Sequence, residues 1–365
     1  MMPSQHRVVF LQRRPHPAGA QTCLLRLMKH PLVRAFHPLL VGSTRGWLTQ
    51  QCDAQTIDHL EISFPPSRTL LSRLLLNHQF AARLANGLGK IEIPRIIVHA
   101  NDFQESLLAL AVAKRLKAKA ALFLRAGGMT EEDYQKHNCG KFDLIAAVGD
   151  ELQKKAQTWE TKKQIHKIYD GLYPEEILSA KKKSPQFPRK ILVVGSPTTG
   201  KGWADLTAAL CQLEQEGVLS EMELHFTGAK PVNANCDLRL ERLKKVRAVF
   251  LGRVENFKEL ILQFDLAINP SRYESFGMAA LEILAAGVPL LSSRTGVIEQ
   301  VQPDQKYLFA PNDPVDLARS LKQLIQNWDA TDFSIAQIQK NILARFNIDE
   351  SAQQLTTCYQ QLLKT

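Results

Sequence analysis

The sequence predicts an α/β protein made of two doubly wound domains of similar size. Three observations carry this. At 365 residues the chain is long enough for two ordinary domains. Short apolar runs alternate with helical patterns in both halves, and such alternation implies parallel strands joined by crossovers. A polar, proline-punctuated stretch, 173–189, separates the two series and reads as a linker.

In the first series, strands are expected at 7–11, 39–41, 58–63, 94–98, 120–124 and 143–148. Helical patterns fall at 22–36, 68–86, 103–117 and 151–158. Arg7-Val-Val-Phe-Leu is the first strand, Leu24 to Phe36 supplies a helix face, and Pro38-Leu-Leu-Val gives the second strand. The fourth strand ends in His99-Ala-Asn-Asp102, a polar cluster at the strand end where ligands of open sheets bind. The second series starts with Lys190-Ile-Leu-Val-Val. It continues with a helix at 202–216, strands at 223–228 and 248–251, a helix at 255–263, a strand at 265–268, a further helix and a strand at 288–292. The tail is helical at 314–327, 334–345 and 350–363. The expected domains are 1–172 and 190–330, with 331–365 returning to the first domain. The site is expected in a cleft between the two domains.

Composition narrows the function classes. An apolar fraction of 45% and a charged fraction of 22% are those of a globular protein, and no apolar run approaches the length of a membrane span. The net charge of +10 makes nucleic acid, an anionic membrane surface and phosphate-bearing substrates candidates. Basic residues without interleaved aromatics, at 7% aromatic content, argue against nucleic acid. The six cysteines show no CxxC pair and no zinc-type spacing, so reduced thiols in a cytoplasm are expected. The amino-terminal stretch is rich in Arg and lacks acids before Asp53, but its patterning is that of a folded domain rather than a transit peptide.

Two segments carry chemistry. Gly195-Ser-Pro-Thr-Thr-Gly-Lys201-Gly202 follows a strand and opens a helix, nearly the P-loop pattern GxxxxGK[ST]. Gly202 replaces the hydroxyl that would hold magnesium, which leaves an NTPase as an outsider reading. What survives is a metal-free diphosphate site. The second segment runs from Asn269-Pro-Ser271 through Glu274-Ser275-Phe276-Gly277 to Glu282. It reads as a strand, a loop and a helix whose amino end sits at 275–277, with N–H groups and a partial positive charge for an anion. A continuous helix would place Glu274 and Glu282, eight residues apart, on one face two turns apart.

Together these motifs, with Ala286-Gly287-Val-Pro289 and Gly296, resemble the retaining glycosyltransferases of the GT-B fold, family 4 (glycosyl transferases group 1). Phe226-Thr-Gly228 and Leu251-Gly-Arg253-Val fit the intermediate strands of that family. The resemblance covers 190–301. It is faint in the first half, where Gly19-Ala-Gln matches the first strand–loop turn and Asp170-Gly171 the Asn-Gly before the linker. The resemblance implies that Lys201 binds the donor diphosphate. Glu274 would hold the transferred sugar, Ser275, Phe276 and Gly277 would offer N–H groups, and Glu282 would bind the ribose. Gly195, Ser196, Gly202 and Gly228 would line the donor site, and no metal or cofactor is implied.

Two positions depart from the family pattern. Ser196 stands where Arg is common, leaving Arg253 or Arg272 as substitutes. Arg125 stands where many members keep a His facing the donor sugar, and is therefore a catalytic candidate. Gly19, His99 and Asp102 are acceptor-side candidates. The implied activity is sugar transfer from a nucleotide-sugar to a glycan or lipid-linked acceptor, in lipopolysaccharide or other surface polysaccharide synthesis. It would occur in the cytoplasm or at the inner face of the membrane. The basic residues Arg13, Arg14, Arg26, Lys29 and Lys114 to Lys119 suit an anionic acceptor or membrane surface. The alternative is a degenerate member acting as a binding or scaffold subunit.

Overall fold

The structure, a computed structural model, describes residues 6–65, 70–88, 95–179, 184–231, 238 and 240–364. Residues 68 and 69 of the expected helix 68–86, residue 94 of the expected strand 94–98, and Lys181 to Lys183 lie outside these. The chain divides into two compact units, Met1–Gly171 with Phe346–Thr365, and Leu172–Arg345.

Unit 1 holds strands β1 (His6–Gln12), β2 (Leu39–Gly42), β3 (Asp58–Glu61), β4 (Arg95–Ala100), β5 (Lys119–Leu124), β6 (Leu144–Ala147) and β7 (His166–Lys167). They form one sheet in the order β3-β2-β1-β4-β5-β6-β7, with every pair parallel. Six of the seven residues of β1 and all four of β6 are buried, as expected of parallel strands covered on both faces. The helices are α1 (Gly19–Lys29), α2 (Pro31–Arg34), α3 (Trp47–Ala54), α4 (Leu70–Leu88), α5 (Ser106–Leu116), α6 (Glu131–Lys136) and α7 (Asp150–Trp159). The expected helix 22–36 is two helices. Pro31 lacks an N–H and forces His30 into an extended conformation (ψ 134°), which breaks the run.

Unit 2 holds β8 (Lys190–Val193), β9 (Met222–Phe226), β10 (Val246–Phe250), β11 (Ala267–Asn269), β12 (Leu290–Ser293) and β13 (Leu308–Phe309). This sheet is also all parallel, in the order β10-β9-β8-β11-β12-β13. Its helices are α8 (Trp203–Gln215), α9 (Phe257–Ile261), α10 (Met278–Ala285), α11 (Pro314–Gln326) and α12 (Ile335–Arg345). Trp203, fully buried, packs on Phe226 at 4.7 Å between ring centres and ties α8 to the sheet. Asp313 caps α11 through the N–H groups of Val315 and Asp316, with Pro314 preset for the first turn.

Two expected boundaries move. The described part of the 173–189 stretch is not a free linker: Leu178 N–H donates to Ala285 O at 2.9 Å, and the indole of Trp328 donates to Ser184 O at 2.8 Å. It belongs to unit 2. The tail also does not return as a whole. α12 stays in unit 2, where the Gln339 amide donates to Leu178 O (2.7 Å) and Ala285 O (3.0 Å). Only α13 (Ile348–Lys364) joins unit 1, where Asp349 meets His30 at 2.9 Å.

Candidate functional site

In an open parallel sheet, ligands bind beyond the carboxyl ends of strands where the strand order reverses. In unit 2 that point lies between β8 and β11, which are neighbours in the sheet although β9 and β10 come between them in the chain. The two chemistry-bearing segments are the loops that leave these two strands.

The loop after β8 is shaped by its glycines. Gly195 has φ 127°, and a Cβ there would lie 2.9 Å from that of Lys201. Thr227, beyond β9, brackets Gly195 by accepting its N–H (2.9 Å) and donating to its O (3.0 Å). Thr199–Lys201 forms one tight helical turn, and Gly202 at φ 61° starts α8. A Cβ on Gly202 would stand 1.8 Å from Pro270 O. The Ser or Thr of a true P-loop therefore has no room here. Gly228 is needed for similar reasons, since a Cβ there would meet the Trp203 ring at 2.9 Å. Ser196 is exposed.

The loop after β11 places Glu274. Lys201 Nζ lies 2.6 Å from Glu274 Oε1, and the Ser271 hydroxyl donates to the same oxygen at 2.8 Å. Behind Ser271 runs a buried polar chain. Its Oγ lies 2.9 Å from Asn269 Oδ1, the Asn269 amide donates to Ser292 Oγ at 3.1 Å, and Ser293 Oγ donates to Ser271 O at 2.6 Å. The lysine and glutamate side chains keep 29% and 18% exposure, so the pair is accessible to a ligand.

The helix with its amino end expected at 275–277 begins one residue beyond, and it does not reach back to Glu274. Gly277, at φ 94°, ends the loop and α10 begins at Met278, so Glu274 is a loop residue and the two-turn spacing to Glu282 does not apply. Glu282 sits in α10 and is half-buried. The start of α10 has no side-chain cap, which leaves its partial positive charge at the Phe276–Gly277 corner next to Ser275. Gly296, at φ 64°, closes the back of this corner: a Cβ there would be 2.3 Å from Phe276 O.

Of the two proposed substitutes for the missing arginine, Arg272 is engaged elsewhere. Its guanidinium grips Asp205 through two bonds, at 2.7 and 2.6 Å. Arg253 is exposed in the loop after β10 and remains the candidate.

In unit 1 the structure departs further from expectation. Arg125 does not face an open site. It is held by both Asp170 oxygens (2.7 and 2.6 Å) and by Asn101 (3.0 Å), lies over the Phe123 ring, and keeps 4% side-chain exposure. His99 is fully buried between Phe10 and Phe123 and bonds the Tyr359 hydroxyl at 2.5 Å. Burial, then the Arg125 charge, push the His99 imidazole down to about 3, so it is a neutral core group. Its polar type at a strand end suggested a site, but both faces of a central parallel strand are covered. Asp102 accepts from the N–H groups of Phe103 (2.8 Å) and Arg125 (3.3 Å), and burial raises its pKa. Gly19 is exposed at the start of α1 with open space around it. Arg26, counted with the basic face, is buried, whereas Arg14, Lys29, Lys114, Arg115 and Lys117 are exposed.

Asp205 escaped the sequence reading, and Asn269, Ser271 and Tyr273 were read only as parts of their segment, with no role assigned. A carboxylate in the first turn of a helix starting at a glycine-lysine loop was the available signal for Asp205. Nothing in the local pattern marked the serines.

Two all-parallel sheets, the second bearing a lysine turn and a glutamate loop at its switch point, define the GT-B fold. Residues 188–327 match the family model of glycosyl transferases group 1. It is 25% identical over 262 residues to an uncharacterized glycosyltransferase of Methanocaldococcus jannaschii, covering 64% of this chain and 66% of that one. It is 30% identical over 120 residues to the N-acetyl-alpha-D-glucosaminyl L-malate synthase of Bacillus anthracis, covering 32% of each. The matched part thus spans less than two thirds of either relative. Among solved structures, the Anabaena protein HepE in complex with UDP and glucose superposes with a TM-score of 0.78 at 16% identity, covering 98% of this chain and all of that one. The apo lipopolysaccharide outer core galactosyltransferase WaaB gives 0.68 at 16% identity, covering 97% and 99%.

Proposed function

We propose that this protein transfers a sugar, with retention of configuration, from a nucleotide-sugar to an acceptor hydroxyl, as a family 4 enzyme. The observation that carries the reading is the Lys201–Glu274 contact at 2.6 Å, set beside the uncapped start of α10 at the switch point of the second sheet. A donor diphosphate entering there takes the lysine from the glutamate. Lys201 and the N–H groups at the Phe276–Gly277 corner then stabilise the charge that grows on the phosphate as its bond to the anomeric carbon breaks. Glu274, released from the ammonium, accepts hydrogen bonds from the sugar hydroxyls. Glu282 binds the ribose, and Arg253 supplies the cation absent at Ser196. No metal takes part in this scheme. The UDP and glucose held by HepE support a nucleotide-sugar donor. The acceptor is a glycan or lipid-linked glycan of a surface polysaccharide, approached at the cytoplasmic face of a membrane. The exposed Lys114, Arg115 and Lys117 suit an anionic surface, and among the described residues no helix is long and apolar enough to cross a membrane.

The test is Lys201→Ala with a donor chosen by thermal shift from UDP-, GDP-, ADP- and CMP-sugars. Loss of one such preorganised charge should cost roughly a hundredfold or more in turnover. Unchanged turnover overturns the assignment. A second reading, a binding subunit without turnover, draws on the occupation of Arg272 by Asp205. Donor binding by the native chain with no transfer to any acceptor would favour it.

A further inference from the structure

Resting on the donor-site reading above, we infer that the Asp205–Arg272 ion pair is a positioning device that holds Lys201 against the Glu274 loop. Four contacts, made by Pro270, Arg272 and Tyr273, fasten the lysine turn to the segment 270–273. Pro270 O fills the space where a Cβ of Gly202 would sit, at 1.8 Å. The Arg272 N–H donates to Gly200 O at 2.8 Å. The Tyr273 ring lies over Gly200, whose Cβ would meet Cζ and the hydroxyl at 2.6 Å. The Arg272 guanidinium then reaches past the turn to both oxygens of Asp205, in the first turn of α8. Lys201 is bracketed by the two glycines on which these contacts fall.

The ion pair is the part of this arrangement with directional strength. A planar guanidinium facing a carboxylate fixes orientation as well as distance, and Lys in place of Arg cannot reproduce it. Asp205 is 12% exposed and Arg272 34% at the side chain, so solvent competes little at the carboxylate. The pair spends the arginine that could otherwise have met a phosphate and uses it to set where the lysine ammonium stands. Asp205 and Arg272 are therefore positioning residues and touch no reacting atom.

The experiment uses Asp205→Asn, Asp205→Ala and Arg272→Lys in the full chain. Hydrogen exchange is followed over 199–203, and UDP, GDP and ADP are titrated against uridine, guanosine and adenosine. Exchange at the Gly200, Lys201 and Gly202 amides should quicken in each variant, while exchange in α11 and β12 stays as in the native chain. Diphosphate affinity should fall roughly tenfold, about the loss of one good charge-assisted contact, with nucleoside affinity unchanged. Lys201→Ala should add no further loss on an Asp205→Ala background. Unchanged exchange over 199–203, or an equal fall in nucleoside and diphosphate affinity, overturns the inference. If the native chain binds no diphosphate, the donor reading fails, and the exchange arm still decides the positioning role.

Discussion

Replacing Gly202 by Ser would complete a P-loop consensus, and the structure predicts that it damages the protein instead. Gly202 has φ 61°, and a Cβ there would lie 1.8 Å from Pro270 O. The left-handed backbone costs a residue with a side chain about 1–2 kcal/mol. The clash is with main chain and not with the end of a flexible side chain, so the lysine turn and the 270–273 segment must separate. Overpacking of this kind typically costs about 1–3 kcal/mol, giving a total of roughly 2–5 kcal/mol. Against a domain stability of about 5–15 kcal/mol, that is a large fraction. Urea unfolding followed by tryptophan fluorescence suits the measurement, because Trp203 is fully buried next to the substituted residue. The midpoint should fall, and UDP affinity with it, while ATP hydrolysis stays at background. An unchanged midpoint with unchanged nucleotide affinity would refute the argument. A gain of ATP hydrolysis would restore the NTPase reading.

Two further outcomes follow from unit 1. Asp170→Ala strands the Arg125 guanidinium at 4% exposure and should cost about 3–5 kcal/mol in urea unfolding, whereas Arg125→Met combined with Asp170→Leu should cost much less. Burial, then the Asp102 charge, push the Glu105 carboxyl up to about 8, although it accepts the Arg13 N–H at 3.2 Å. Above the ordinary carboxylate range the unfolded chain loses this proton while the folded chain keeps it, so stability present at low pH is lost as pH rises toward about 8. Glu105→Gln keeps the acceptor and should flatten that fall in Tm; an unaltered pH profile would show that Glu105 ionises normally.

The sequence made legible what depends on local pattern. Alternating apolar runs and helical faces placed most strands within a few residues, and glycines flanking Lys201 marked the lysine turn. What it hid depends on distance along the chain or on a single backbone angle. Arg272 and Asp205 are 67 residues apart, and nothing at either position signals the other. The helix start near Gly277 was legible, but the left-handed angle there, which keeps Glu274 out of the helix and removes its two-turn spacing to Glu282, was not. His99 and Arg125 looked like site residues because they are polar and end strands. Their burial is set by α13 and by Asp170, which lie far away in sequence. Amphipathic patterning located α12 and α13 but could not say which unit each covers.

The division of the chain also bears on how it is made. Leu172–Arg345 is one continuous stretch, while the first unit needs Phe346–Thr365 to bring Tyr359 against His99 and Phe36. Domains that emerge first from the ribosome usually fold first. Here the cover over Phe36 and His99 is supplied by α13, which is synthesised only after all of the continuous second unit.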